Sequence, residues 1–362
     1  MTRPSLRSTG DRSPVGVGAG LVVLDLVVKG NLPDSHLLRA GGSCGNVLTI
    51  LSYLGWRSYP IARLGRDAAA QIIQEDMAQF GVDTEFLAQE TSGRTPAIIE
   101  TIRDGGRGPR THSYSLHCPQ CGSFLPRHRP LRMDGTNRIL AQLPHATVFY
   151  FDRASPASVL LAQHYRSGGA LIVFEPSSMR TGSESLLKRA ARLAHILKYS
   201  RERLSGVAEA LGRTVVPLEI ETMGRDGLRY RRKRKSGGLA PWQYMPAYQV
   251  SNPVDEAGSG DWCTAGLVHA LGLHGAASFW RTRDRGLERG LLLGQALAAI
   301  NCGFPGARGA MYELLVEDMK KTVQEVARGE EIRAGPEILN PEAIHRFLQS
   351  VCLHCKPIAG SR

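Results

Sequence analysis

From residue 146 to residue 222 the chain alternates short apolar runs with longer amphipathic ones. Ala146–Phe151, Ala170–Phe174 and Thr214–Thr222 read as strands, with helices over Ser155–Tyr165 and Ser183–Leu197 between them. Strands this apolar must be covered on both faces, and strands separated by helices pair in parallel, so the pattern predicts an α/β body built on βαβ units. Upstream, Gly16–Val28 reads as one more buried strand, residues 45–54 as a helix stopping at Gly55, and Tyr59–Leu64 as a strand. Asp67 is placed to cap a helix over Ala68–Phe80, which Gly81 closes. Alternation at Pro96–Ile102 and Thr111–Leu116, around the Gly-rich turn 103–110, marks short strands that form a small lid.

Downstream, residues 227–250 read as a hairpin excursion, and helices follow Asp261, over about Leu287–Asn301 and about Tyr312–Arg328. There is no internal repeat. The expected organisation is a loose arm over residues 1–14, a main domain over 15–335 with lid segments near 28–40 and 93–116 and a Cys-bearing insert at 117–135, and a tail over 336–362.

At 362 residues the chain can bury a large core without staples. The net charge of +12 favours anionic partners such as phosphates. No apolar run reaches the roughly 18 residues a membrane helix needs. Val15–Val28 follows a basic start, but Asp25 interrupts it and no small-x-small cleavage pattern follows, so export is not expected. Seven cysteines in a chain this long fit a reducing, cytoplasmic compartment better than a disulfide scaffold.

The most informative stretch is Asp255-Glu256-Ala257-Gly258-Ser259-Gly260-Asp261, which follows an extended segment and opens a helix at Trp262. Gly258 and Gly260 let the backbone turn sharply and approach a ligand. The amides of residues 258–261 would then converge at a helix N-terminus, a site for phosphate or developing negative charge. Asp261 at its rim can accept a proton from a hydroxyl that attacks a phosphoryl group. The same residues also make an ordinary capped turn.

This stretch resembles the D-T-x-G-A-G-D signature of the ribokinase-like (PfkB-type) carbohydrate kinases, with Glu256 for Thr, Ser259 for Ala, and a bulky Trp262 after the Asp. Further elements follow in family order. Gly20–Asp25 is similar to the first strand and Gly41-Gly42-Ser43-Cys44-Gly45-Asn46 to G-G-x-x-x-N. Leu64–Asp67 and Phe80–Asp83 are similar to G-x-D and G-V-D, and Thr222-Met223-Gly224-Arg225-Asp226-Gly227 to the nucleotide turn. Glu175-Pro176 replaces the usual Asp-Pro, Ser200-Arg201-Glu202-Arg203 replaces N-x-x-E, and residues 104–135 are longer than the usual lid connection.

The resemblance implies a three-layer sandwich with a mostly parallel central sheet and a β lid, and an ATP-dependent kinase acting on a sugar or sugar-like alcohol. Asp261 would be the catalytic base, and the amides of Gly258, Ser259 and Gly260 the anion hole. Asp25, Gly41, Gly42 and Asn46 would bind the acceptor, while Thr222, Gly224, Gly227 and Asp255 would border ATP. Mg²⁺ would bridge the phosphates, with Glu202 taking over the acidic role of the missing motif. A lid of this kind can also pair two subunits into a homodimer. The competing expectation is a catalytically weak or silent member that binds a metabolite or nucleic acid; no membrane partner is expected, and nucleic acid is not the favoured one.

Cys118-Pro119-Gln120-Cys121-Gly122 and Cys352-Leu353-His354-Cys355 are two C-x-x-C pairs. Together they meet the Cys₄ requirement of structural zinc, although their separation exceeds that of a local zinc ribbon. His117 and His354 are alternate ligands, and two redox pairs or unlinked thiols are the other readings. Cys44, Cys263 and Cys302 read as buried small residues. The run Arg229–Lys235 reads chiefly as a solvated hairpin tip near the nucleotide, more than as a nucleic-acid contact. Arg39, Arg63, Arg103 and Arg110 are expected to flank the acceptor side.

Overall fold

The computed structural model describes residues 13–29, 36–103, 111–176, 184–203, 206–212 and 214–332, together with 335, 348, 351–352 and 354–355. The arm up to residue 12, the turn 104–110 and most of the tail lie outside the described residues.

The run expected as one strand over Gly16–Val28 is two, β1 (Val15–Ala19) and β2 (Val23–Lys29), in different sheets. The chain leaves the first sheet at Leu21, whose N–H donates to Asp152 Oδ1 at 2.9 Å. Both halves are buried, so the apolar run carries no mark of the break. Then come β3 (His36–Gly41), α1 (Ser43–Tyr53), β4 (Arg57–Gly65), α2 (Ala68–Ala78), β5 (Leu87–Glu90), β6 (Ala97–Arg103) and β7 (Thr111–Ser115). Asp67 caps α2 as expected, accepting from the Ala70 N–H at 3.0 Å.

The body continues with α3 (Met133–Gln142), β8 (Val148–Phe151), α4 (Pro156–Ser167), β9 (Leu171–Phe174), α5 (Glu184–Leu193), β10 (Ile196–Ser200), α6 (Val207–Leu211) and β11 (Leu218–Thr222). Ser155 and Ser158 form a reciprocal capping box at the start of α4. The expected helix over Ser183–Leu197 overruns its end by absorbing the start of β10, because a short buried strand looks like a continued helix face. The hairpin β12 (Leu228–Arg232) and β13 (Gln243–Met245) is as read. The last helices are α7 (Ser259–Leu271), α8 (Gly275–Arg281), α9 (Asp284–Asn301), α10 (Ala310–Glu313) and α11 (Val316–Ala327). One helix was expected over Tyr312–Arg328; the chain instead breaks at Leu314–Leu315, both extended.

The nine-stranded sheet runs β13-β12-β11-β10-β9-β8-β1-β4-β5, parallel from β11 to β5 and antiparallel in the terminal hairpin. Alternate residues face opposite layers. Val148 and Tyr150 pack with Leu48, Trp262, Val268 and Leu291 from α1, α7 and α9. Phe149 and Phe151 pack with Val159, Tyr165, Leu187 and Val207 from α4, α5 and α6. The result is the three-layer α/β sandwich expected. A second sheet, β3-β2-β6-β7, forms the lid. Among the described residues no helix is long and apolar enough to cross a membrane.

Candidate active site

The carboxyl ends of β9, β10 and β11 open on a cleft of about 700 Å³, roofed on one side by Asp25, Ile98, Ser113 and Tyr114 of the lid. Ligands in open parallel sheets bind at such strand ends. α7 starts at the floor of this cleft. It begins at Ser259, three residues before the start expected at Trp262, so residues 259–261 are its first turn.

Gly258 is the N-cap of α7, at φ +68°, and a Cβ there would lie 2.0 Å from the Ala307 carbonyl oxygen. No other residue fits this position. Among the described residues no side chain caps the helix. The Ser259 N–H makes a long 3.3 Å bond to the Glu256 carbonyl, while among the described residues the amides of Gly258, Gly260 and Asp261 have no backbone acceptor. Gly258, Ser259, Gly260 and Asp261 all line the cleft. The arrangement is a cup of donors with positive helix-dipole character.

Asp261 accepts from Asn46 Nδ2 at 2.7 Å. Burial, reinforced by Glu175, raises its carboxyl to about 7, against the opposing pull of Asn46, Lys198 and Arg203. Asp25 lies in the lid and faces the same space; burial pushes it to about 7 as well, opposed by Arg308 and reinforced by Asp261. Two carboxyls poised near neutrality in one cleft are suited to holding and moving protons.

Asp25, Gly42, Asn46, Glu202, Thr222, Gly224 and Gly227 all line this cleft. Two other predicted residues do not. Gly41 instead gives room to Asp25, since a Cβ on it would lie 1.8 Å from Asp25 Oδ2. Asp255, expected beside the nucleotide, is buried behind the turn: its carboxylate accepts from the Ala257 N–H at 2.9 Å and the Gly306 N–H at 2.7 Å. These two bonds hold the turn against the loop after α9. Cys118, Cys121, Cys352 and Cys355 lie elsewhere, clustered together.

The arginines expected around the acceptor are engaged away from it. Arg63 is paired with Glu90 at 2.5 Å, and Arg39 lies over the Tyr312 ring at 3.4 Å. Arg110 and the side chain of Arg103 are outside the described residues. The basic hairpin is mostly pinned: Arg231 pairs with Glu219 at 2.7 Å, Arg232 with Asp284 at 2.9 Å, and Arg229 with Glu221. Its turn, residues 233–238, stands in solvent.

No family model matches the chain. It is 26% identical over 319 residues to a fructokinase of Klebsiella pneumoniae, covering 83% of this chain and 95% of that protein. It is 27% identical over 312 residues to a fructokinase of Escherichia coli, covering 81% and 94%. The fold matches aminoimidazole riboside kinase from Salmonella enterica at a TM-score of 0.63, with 21% identity over 85% of this chain and 99% of that one. The fold is ribokinase-like, and in sequence the chain is similar to carbohydrate kinases of the PfkB type.

Several features of this kinase were not legible beforehand. Lys198, on β10, is buried, ion-paired with Glu175, and donates to the Gly260 carbonyl at 3.1 Å. Glu175 also accepts from Thr264 Oγ1 at 2.6 Å. The residue replacing the usual Asp thus becomes the hub of a polar network under the turn. Burial pulls the Lys198 ammonium down, but Glu175 outweighs it and holds it above its usual range. Arg203, in the position of the motif's acidic residue, lines the cleft and lies 5.8 Å from the Tyr114 ring of the lid. Its positive charge favours ionised Asp261. Trp262, the bulky departure, is fully buried, packs edge-on against Tyr53, and donates from Nε1 to the Ala307 carbonyl at 3.1 Å. Glu100, a second acid in an apolar lid strand, was missed although it carries the same sequence signal as Asp25. It is buried, and burial with Asp255 and Asp25 nearby holds it well above the usual carboxylate range.

Proposed function

We propose that this kinase transfers the γ-phosphate of ATP to a hydroxyl of a sugar or sugar-like acceptor held between Asp25 and Asn46. One observation carries the reading: Asp261 shares the first turn of α7 with backbone donors that face the same cleft. In-line transfer needs positioning and charge stabilisation more than covalent help. The amides of Gly258, Ser259 and Gly260 receive the charge on the transferring phosphoryl group. Asn46 holds the Asp261 carboxylate, and Asp261 takes the proton from the attacking hydroxyl. A base near pH 7 suits that role.

The adenine end lies between the turn bearing Thr222, Gly224 and Gly227 and the α9 face bearing Ala298 and Cys302. Mg²⁺ fits here as the companion of ATP, neutralising phosphate charge; the carboxylate of Glu202, which a Cβ on Gly224 would approach to 3.3 Å, is the protein oxygen ligand suited to it. Arg203 adds a fixed positive charge where the family places an acid. The lid edge strands β3 and β7 are the surfaces through which two copies would pair.

The test is ADP formation across a panel of hexoses, pentoses and nucleosides, with Asp261→Asn alongside. Turnover on one acceptor class, falling roughly 10²–10⁴-fold in the variant, is the expected outcome. Equal rates for the two proteins on every acceptor would refute the role of Asp261. Saturable acceptor binding with no ADP formed would instead support the silent, ligand-binding reading.

A further inference from the structure

The four sulfurs of Cys118, Cys121, Cys352 and Cys355 lie within 4.8 Å of one another, although the two pairs come from opposite ends of the second two-thirds of the chain. Cys118 Sγ is 3.4 Å from Cys355 Sγ, and Cys121 Sγ is 3.5 Å from Cys352 Sγ. A disulfide requires about 2.0 Å. A tetrahedral zinc site with Zn–S bonds of about 2.3 Å has S···S edges of about 3.8 Å. The two observed separations are far from the first and within about 0.4 Å of the second. All seven cysteines are free.

The first pair also has the local form that presents two thiolates to one ion. The Cys118 N–H donates to the Ser123 carbonyl at 2.7 Å and the Gly122 N–H to the Cys118 carbonyl at 2.8 Å, closing a tight turn. The amides of Gln120 and Cys121 face the Cys118 sulfur, and the amide and hydroxyl of Ser123 face the Cys121 sulfur. Such donors offset the negative charge of a thiolate cluster.

We propose that these four cysteines bind one structural Zn²⁺ that staples the C-terminal tail to the lid. The turn is the continuation of β7: His117 pairs with Phe124, the Leu125 N–H donates to the Leu116 carbonyl at 2.8 Å, and the Ala97 N–H at the start of β6 donates to the Pro126 carbonyl at 3.1 Å. On the other side, Leu348, Val351 and Cys352 pack with Cys118 and Leu125 against the buried face of the lid and α2. The ion therefore closes a very long loop and fixes the strand that carries Ser113 and Tyr114 over the cleft. His117 and His354, the alternates considered from sequence, are not needed to complete the tetrahedron.

The experiment is metal analysis of the purified full chain, with Cys118→Ser, the double variant Cys352→Ser/Cys355→Ser, and Cys44→Ala as a core-cysteine control. Stoichiometric zinc in the wild type and the control, with loss in both ligand variants, is expected. Because the variants can misfold, Co²⁺-exchanged wild type is measured too; the ligand-field spectrum of tetrahedral cobalt thiolate supports the site. Wild-type protein that holds no zinc after incubation with it, zinc retained by the double variant, iron in its place, or an octahedral cobalt spectrum would each overturn the proposal.

Discussion

Lys198 Nζ donates to the carbonyl oxygen of Gly260 at 3.1 Å, so a buried ammonium braces the peptide that presents Asp261 to the cleft. Its partner Glu175 sits just past the end of the neighbouring strand β9 and acts on Asp261 in the opposite sense. The two charges set the basicity of the same carboxylate from below the turn.

That opposition makes the pH profile informative. Asp261 must be ionised to accept a proton, so kcat/KM should rise as pH passes about 7. Lys198→Met should move this acid limb upward and Glu175→Gln should move it downward. Each single variant strands one buried charge at a cost of about 3–5 kcal/mol, and the double variant should regain part of that stability. Rate profiles and denaturant melts of the set check this; identical limbs in all four proteins would separate Asp261 from the observed titration.

The same shift has a stability consequence. Asp25 and Asp261 are raised to about 7 in the folded chain from a carboxylate value near 3.8. The folded state therefore binds more protons than the unfolded state between these values, and stability falls as pH rises through that window, then levels above it. Asp261→Asn should flatten part of this slope in melts run across the window. An unchanged slope would argue that Asp261 titrates normally.

How much of this was readable in the sequence divides by physical cause. The layers followed from the 146–222 alternation because buried parallel strands and amphipathic helices have distinct periods. The Gly258–Asp261 turn was readable because local backbone needs dictate its residues. The split of β1 from β2 was hidden, since two strands buried in different sheets look like one long apolar run. Lys198 was invisible because its value depends on Glu175 and Gly260, both distant in sequence. Asp255 and Gly41 were placed at the site by the resemblance alone, and the structure has them supporting it from behind.

Arg203 faces the cleft beside the turn, positively charged where the family pattern has an acid. A guanidinium there can follow charge onto the transferring phosphoryl oxygens. Arg203→Ala should lower kcat roughly 10²–10³-fold with less effect on acceptor KM, the pattern of an interaction made mainly in the transition state. A rise confined to acceptor KM would show that Arg203 holds the acceptor instead.

Trp262 is the bulkiest departure from the family turn, and its surroundings explain how it is tolerated. The indole is fully buried against Tyr53, and its Nε1 donates to Ala307, the residue whose carbonyl oxygen also forbids a side chain at position 258. Burial and hydrogen bonding thus tie the loop after α9 to the donor cup. Trp262→Ala removes the ring and leaves a cavity, at a cost of about 3–5 kcal/mol. Trp262→Phe keeps most of the packing and removes only the donor, at about 1–2 kcal/mol. Denaturant midpoints give both values, and activity measured where each variant is fully folded isolates the effect on the loop. Because Ala307 also accepts from Asn301 Nδ2 at 3.3 Å, the loop in Trp262→Phe should hold its place and turnover should survive. Loss of turnover in a folded Trp262→Phe would mean that the indole hydrogen bond, rather than the bulk of the ring, positions the amides of Gly258 and Ser259.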